Sequence, residues 1–137
     1  MNNKIDVVLV TYNPDIEMLM RCIASIRIQV RKIWIIDNNS TDCNISNDLT
    51  KLYENIEIIK MSENKGIAHA QNIGIKKSLE NQSDFILLSD QDTSYPDCYV
   101  NNMTSVFDKY NDRLAAVAPL FHDVVGKSKN EGFVVMS

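Results

Sequence analysis

Phe85-Ile86-Leu87-Leu88-Ser89-Asp90-Gln91-Asp92-Thr93 passes from four apolar residues directly into a polar cluster carrying two acids. A short apolar run bounded by polar residues reads as a buried strand that ends at solvent. The same pattern occurs three times upstream. Ile5–Val10 leads into Thr11-Tyr12-Asn13, Ile33–Ile36 into Asp37-Asn38-Asn39-Ser40-Thr41-Asp42, and Ile56–Ile59 into Ser62-Glu63-Asn64-Lys65-Gly66. These runs end near residues 10, 36, 60 and 89. A spacing of roughly 25 to 29 residues holds one strand, a loop and a helix of three to four turns. The reading is βαβα with parallel strands.

The segments between the runs carry helical signals. Asn13-Pro14-Asp15 is a helix start, followed at helical spacing by Ile16, Leu19, Met20, Ile23 and Ile26. Ile67, Ala70, Gly74, Ile75 and Leu79 mark one face of a helix over 66–81, and a shorter helix is expected over 46–54. Pro96 sits where another helix would begin, with Val100, Met103, Val106, Phe107 and Tyr110 as its stripe. Two further runs, Ala115–Ala118 and Phe133–Met136, read as strands. The expected fold class is α/β: a doubly wound, mostly parallel sheet with helices on both faces, forming a single domain over 1–137. Because an apolar run ends one residue before the last, the chain reads as a truncated piece of a longer protein. An uncovered final strand is an edge able to pair with a second copy, which suggests a homodimer.

Composition narrows the class. Of 137 residues, 45% are hydrophobic and 23% charged, as in ordinary globular proteins, which excludes a disordered chain. Lys plus Arg number 14 against 18 Asp plus Glu, so no basic surplus exists to neutralise nucleic-acid phosphates. Cys22, Cys43 and Cys98 form no CxxC pair, which argues against a disulfide framework and a structural zinc site. No apolar run approaches the length of a membrane span. Little sequence precedes the first strand, leaving no room for a signal peptide, so a cytoplasmic location is expected.

In open parallel sheets, ligands bind beyond the carboxyl ends of the strands, where loops and helix N-termini converge. The polar clusters fall at those ends. Turn chemistry alone favours Asn, Asp, Ser and Gly in loops, but all four clusters share one edge. Asp90-x-Asp92 is the sharpest of them: two carboxylates so close repel unless a cation sits between them. Hard oxygen ligands suit Mg²⁺ or Mn²⁺. The alternative is that Asp92 or Thr93 caps the next helix. Lys65-Gly66 opens the third helix, where glycine lets a ligand approach the backbone and the cation attracts an anion. Lys65, His69, Asn72 and Lys76 share a helical face that reads as a solvated stripe, and Trp34 reads as core. No GxxxxGK[ST] or GxGxxG sequence occurs, so neither a P-loop nor a dinucleotide site is supported.

Taken together, VVLVTYN, IIDNNSTD, ENKGIAHAQNIGI and LLSDQDT resemble the family 2 glycosyltransferases of GT-A fold, most of all their bacterial rhamnosyltransferase branch. The four stretches stand in the family's order over residues 7–93. The resemblance implies a Rossmann-like half that binds a nucleotide-diphosphate sugar, dTDP-rhamnose or a UDP-sugar. It places Thr11, Asn13 and the backbone around Tyr12 on the base and ribose, and Asp37 on the pyrimidine N–H. Lys65 and Gly66 would lie against the nucleotide, and Asn72 falls in the family's helix motif, where Gln71 replaces a common Arg. Asp90 would approach the ribose, and Asp92 would coordinate the cation bridging the diphosphate.

The implied reaction is direct displacement at the anomeric carbon with inversion, onto a glycan or lipid-linked acceptor, in a full-length protein peripheral to the inner face of the membrane. The general base is expected beyond Ser137. Two other readings stand beside it. One is a donor-binding fragment without activity. The other is a phosphatase, because Asp-x-Asp after a strand also resembles the nucleophile loop of haloacid-dehalogenase-type enzymes.

Overall fold

A computed structural model describes residues 3–41, 45–110, 113–119 and 133–136. In chain order it contains β1 (Ile5–Thr11), α1 (Ile16–Ile26), β2 (Lys32–Asp37), α2 (Ile45–Leu52) and β3 (Ile56–Lys60). After these come α3 (Ile67–Glu80), β4 (Phe85–Ser89), α4 (Tyr99–Tyr110), β5 (Ala116–Pro119) and β6 (Phe133–Met136). The chain divides into two units, Met1–Asp97 and Cys98–Ser137.

The first unit holds a parallel sheet in the order β3-β2-β1-β4. Val7, Val8 and Leu9 of the central β1 are wholly buried, as expected when both faces of a parallel sheet are covered. Alternation assigns the faces. Val8, Trp34 and Ile36 cluster with Ala70 of α3, and Val10, Ile59, Ile73 and Ile86 pack against them. Val7, Leu9, Ile33 and Ile35 therefore point the other way, towards α1, whose Leu19, Cys22, Ile23 and Ile26 are buried. Each such aliphatic side chain contributes about 1.5–3 kcal/mol. The doubly wound α/β arrangement expected from the runs is present, with α1 and α3 on opposite faces.

Local chemistry starts the helices. The Asp15 carboxylate accepts the Met18 N–H at 3.0 Å and caps α1. Gly66 precedes α3 at φ 87°, a left-handed conformation that glycine adopts without strain. α4 begins three residues after Pro96, because Cys98 is held at φ 61° and only then does the backbone turn helical. In the second unit, β5 and β6 pair antiparallel, Ala116 opposite Met136 and Pro119 opposite Phe133. One edge of the last strand is thus taken by β5. Among the described residues, no helix is long and apolar enough to cross a membrane.

Gly74 is where α3 lies closest to the sheet. A Cβ built there would sit 2.3 Å from Val8 Cγ1. Val8 is stiff at χ1 and sits in the central strand, so it yields poorly. Gly74→Ala should gain about 1 kcal/mol of helix propensity and lose roughly 2–3 kcal/mol to overpacking, a net loss of about 1–2 kcal/mol in urea unfolding. Combining it with Val8→Ala should cost less than the sum of the two single changes. Strict additivity would mean that the close approach is not what selects glycine.

Candidate functional site

Register brings the strand ends together. Thr11 pairs with Asp37, Asp37 with Lys60, and Leu9 with Ser89, so the polar cluster after each strand opens on the same edge. The first two loops are joined through Asp37, which is 4% exposed. Its Oδ1 accepts Thr11 Oγ1–H at 2.9 Å and Ser40 Oγ–H at 2.5 Å, and its Oδ2 accepts the Ser40 N–H at 3.0 Å. Ser40 Oγ in turn accepts the Asn13 N–H at 2.9 Å. The Asn13 side-chain carbonyl accepts from Thr41 N–H at 2.9 Å and Thr41 Oγ1 at 3.2 Å. Asn13 and Asn39 both occupy left-handed backbone, at φ 42° and 64°, a conformation asparagine tolerates better than other side chains.

The third loop is tied to the second by asparagines. Asn38 Nδ2 donates to Asn64 Oδ1 at 2.8 Å, and Asn38 Oδ1 accepts the Lys65 N–H at 3.2 Å. Asn64 Oδ1 also accepts the Gly66 N–H at 2.9 Å. The backbone of Lys65-Gly66 is thereby fixed, while Lys65 Nζ pairs with Glu63 at 2.9 Å. The hydrogen bond from Lys65 holds the exposed Glu63 carboxyl below its ordinary range. Along α3, Lys65, His69, Asn72 and Lys76 are all exposed, as the solvated stripe requires. Among the described residues, Asn72 makes no side-chain hydrogen bond to these loops.

The fourth loop carries the acid pair. Asp90 and Asp92 are exposed and, among the described residues, neither enters an ion pair. Gln91 between them reaches back to β1, its Oε1 accepting the Tyr12 N–H at 2.9 Å. Beneath the loop, burial pushes the Cys22 thiol pKa up, and the nearby Asp92 and Asp90 charges add to that against an opposing hydrogen bond from Ser89. Cys22 therefore stays an S–H donor, lying 3.5 Å from the Asp90 carbonyl oxygen. α4 starts at Tyr99, too far along the chain for Asp92 or Thr93 to cap it. No group of three or more His, Cys, Asp or Glu among the described residues could hold a metal ion. The fourth loop supplies two carboxylates. That donor set fits a hard cation that keeps waters and takes its remaining oxygens from a phosphate-bearing ligand.

The loops at this edge hold Thr11, Tyr12, Asn13, Asp37, Lys65, Gly66, Asp90 and Asp92; Asn72 stands apart on α3. Five residues of the site were not singled out from sequence: Asn38, Ser40, Asn64, Gln91 and Tyr95. The first four lie inside polar clusters, where composition marks the cluster without marking the member that turns inward. Tyr95 had no local signal.

Residues 6–132 match the family model described as glycosyl transferase family 2. The chain is 33% identical over 123 residues to dTDP-rhamnosyl transferase RfbF of Shigella flexneri, covering 90% of this chain and 40% of the relative. It is 29% identical over 124 residues to a teichoic acid poly(glycerol phosphate) polymerase of Staphylococcus epidermidis, covering 86% of this chain and 16% of that protein. It therefore spans less than half the length of either relative. The family match outweighs the phosphatase reading. The chain belongs to glycosyl transferase family 2.

Proposed function

We propose that this chain forms the donor-binding part of an enzyme that transfers a sugar from a nucleoside diphosphate to a glycan or lipid-linked acceptor. One observation carries the reading: the four strand-end loops are knitted together by side chains, yet Asp90 and Asp92 on the fourth are exposed and enter no ion pair among the described residues. The similarity to a dTDP-rhamnosyl transferase supports dTDP-rhamnose as the donor, ahead of a UDP-sugar.

In this reading the Thr11-Tyr12-Asn13 turn and Asp37 receive the base and ribose. Asp37 orients the loop through Thr11 and Ser40 and is the acceptor assigned to a pyrimidine N–H. The fixed Lys65-Gly66 backbone lies against the nucleotide, and Asn72 reaches it from α3. Asp90 would face the ribose, and Asp92 would hold Mg²⁺ or Mn²⁺. Such a cation supplies Lewis-acid stabilisation of the leaving diphosphate. Displacement at the anomeric carbon then proceeds with inversion, the acceptor hydroxyl losing its proton to a general base that we assign to no residue of this chain.

Calorimetric titration with dTDP and UDP, each in Mn²⁺ and in EDTA, tests the assignment. Mn²⁺ should tighten dTDP binding by about tenfold or more, equivalent to about 1.4 kcal/mol, and Asp92→Asn should remove that gain. A preference for dTDP supports the rhamnosyl donor. Binding indifferent to Mn²⁺ would remove the metal from the mechanism, and failure of both nucleotides to bind would remove the donor site.

A further inference from the structure

The residue between the two acids is built into the sheet. Gln91 Oε1 accepts the Tyr12 N–H at 2.9 Å while its Nε2 donates to Tyr12 O at 3.4 Å. A side-chain amide that engages both polar groups of one residue acts as an additional sheet rung. The last backbone partners of β1 and β4 are Leu9 and Ser89, so Gln91 continues their pairing past the end of β4.

The other end of the same loop is anchored on α1. Tyr95 Oη donates to Ser89 Oγ at 2.7 Å, and Ser89 Oγ donates to the Asp90 carbonyl at 2.9 Å. The Tyr95 N–H donates to Ser25 Oγ at 3.0 Å, and Ser25 Oγ donates to Cys22 O at 2.7 Å. Gln29 Nε2 adds a bond to Pro96 O at 3.0 Å. The loop is therefore held before Asp92 by β1 and after it by α1, whereas the two carboxylates themselves enter no ion pair among the described residues.

We propose that Gln91 and Tyr95 are positioning residues that latch this loop at its two ends, so that Asp90 and Asp92 stand together at the sheet edge before a cation arrives. The inference rests on the reading of that pair as the site of a divalent cation and a nucleoside diphosphate. Two like charges on an untethered loop move apart, and gathering them again on binding costs affinity. A loop fixed beforehand avoids that cost.

The test uses the 137-residue chain with Mn²⁺ and dTDP as probes. Gln91→Met keeps the length of the side chain and loses both hydrogen-bonding groups; Tyr95→Phe loses only the hydroxyl. Each should weaken Mn²⁺-dependent dTDP binding by roughly 10- to 30-fold, the lower part of the range for residues that orient metal ligands. In EDTA, Tyr95→Phe should stay within about twofold of the parent, whereas Gln91→Met, which also frees the Tyr12 backbone assigned to the base and ribose, should lose affinity there too, but by less than in Mn²⁺. Amide hydrogen exchange at Tyr12 should accelerate in Gln91→Met. Retention of the full Mn²⁺ gain by both variants, unchanged Tyr12 exchange, or equal losses with and without Mn²⁺ would each overturn the latch. Absence of any Mn²⁺ gain in the parent chain would overturn the reading of the acid pair and the latch with it. A parent gain that the variants retain overturns the latch alone.

Discussion

Asp37→Ala should lose about 3 kcal/mol of stability and nucleotide binding together. The carboxylate lies in the carboxyl edge of the sheet and receives three protein donors, from Thr11 and Ser40. Thr11 is wholly buried and Ser40 is 3% exposed, so the abandoned donors have little access to water. Each buried donor left unpaired costs about 1–3 kcal/mol, and rotation of the hydroxyls recovers part of it. The loss of binding follows from the geometry. Without Asp37 to hold it, Ser40 no longer fixes the Asn13 N–H, and the Tyr12-Asn13 turn loses its support from β2. Asp37→Asn should be nearly as damaging, because one oxygen becomes an amide whose protons face either the Ser40 N–H or the two hydroxyls. Thr11→Val is the milder control: it removes a single bond and should cost about 1 kcal/mol while leaving the Ser40–Asn13 link in place. Urea unfolding followed by dTDP titration under folded conditions measures both effects. An Asp37→Ala protein of full stability and unaltered affinity would mean that the loops are organised by something other than this carboxylate.

The sheet was legible because four apolar runs recur at the length of a βα unit, although only the inner strands β1 and β2 are buried almost throughout. β3 and β4, also read as buried, are edge strands and partly exposed, with Leu88 46% exposed. Burial of Val7 through Leu9 and of Ile33 through Ile36 is the physical content of that signal. That the four polar clusters share one edge was legible for a related reason, since parallel connectivity puts every strand's carboxyl end on one side. Which residue in a loop turns inward was not legible. Asn38 is 4% exposed and ties two loops, while its neighbour Asn39 is exposed at φ 64°, and nothing in Asn38-Asn39-Ser40 distinguishes them. Gln91 was passed over as the spacer of an Asp-x-Asp pair, because its partner is the backbone of Tyr12, 79 residues away. The start of α4 was misplaced by three residues because a cysteine, Cys98, occupies a left-handed conformation usually signalled by glycine or asparagine.

Asp6→Ala should be the more destabilising of the two buried-aspartate changes, at about 3–5 kcal/mol, with no effect on the affinity of the folded protein for nucleotide. Asp6 lies at the amino edge of the sheet and is 0% exposed. Arg31 grips it bidentately, Nε donating to Oδ1 and Nη2 to Oδ2, both at 2.9 Å. Trp34 Nε1 and Ser78 Oγ each donate to Oδ2 at 3.0 Å. One carboxylate therefore fastens β1 to β2, to the turn before it and to α3. Removing it takes the counter-charge from a guanidinium that is only one-third exposed and the acceptor from a buried indole N–H, while Arg31 keeps Asn81 O and Ser78 keeps Ser83 Oγ as partners. Breaking a buried ion pair on one side costs about 3–5 kcal/mol, a large fraction of the roughly 5–15 kcal/mol that holds a domain folded. Asp6→Asn keeps the shape and one good acceptor, and should retain enough stability for a complete urea transition. A double-mutant cycle with Arg31→Met should give a coupling of about 1–3 kcal/mol. The ligand readout separates the two edges. Six residue steps along the chain separate Asp6 from Tyr12, about 20 Å at roughly 3.3 Å each, so dTDP affinity measured on folded Asp6→Asn should match the parent. A coupling near zero would make the bidentate pair incidental, and a parallel loss of dTDP affinity would show that the amino edge is not insulated from the site. The same residue type in adjacent strands thus has two uses, decided by the end of the strand on which it falls: at the amino end the carboxylate ties two strands and a helix together, while at the carboxyl end it ties together the loops proposed to receive the nucleotide.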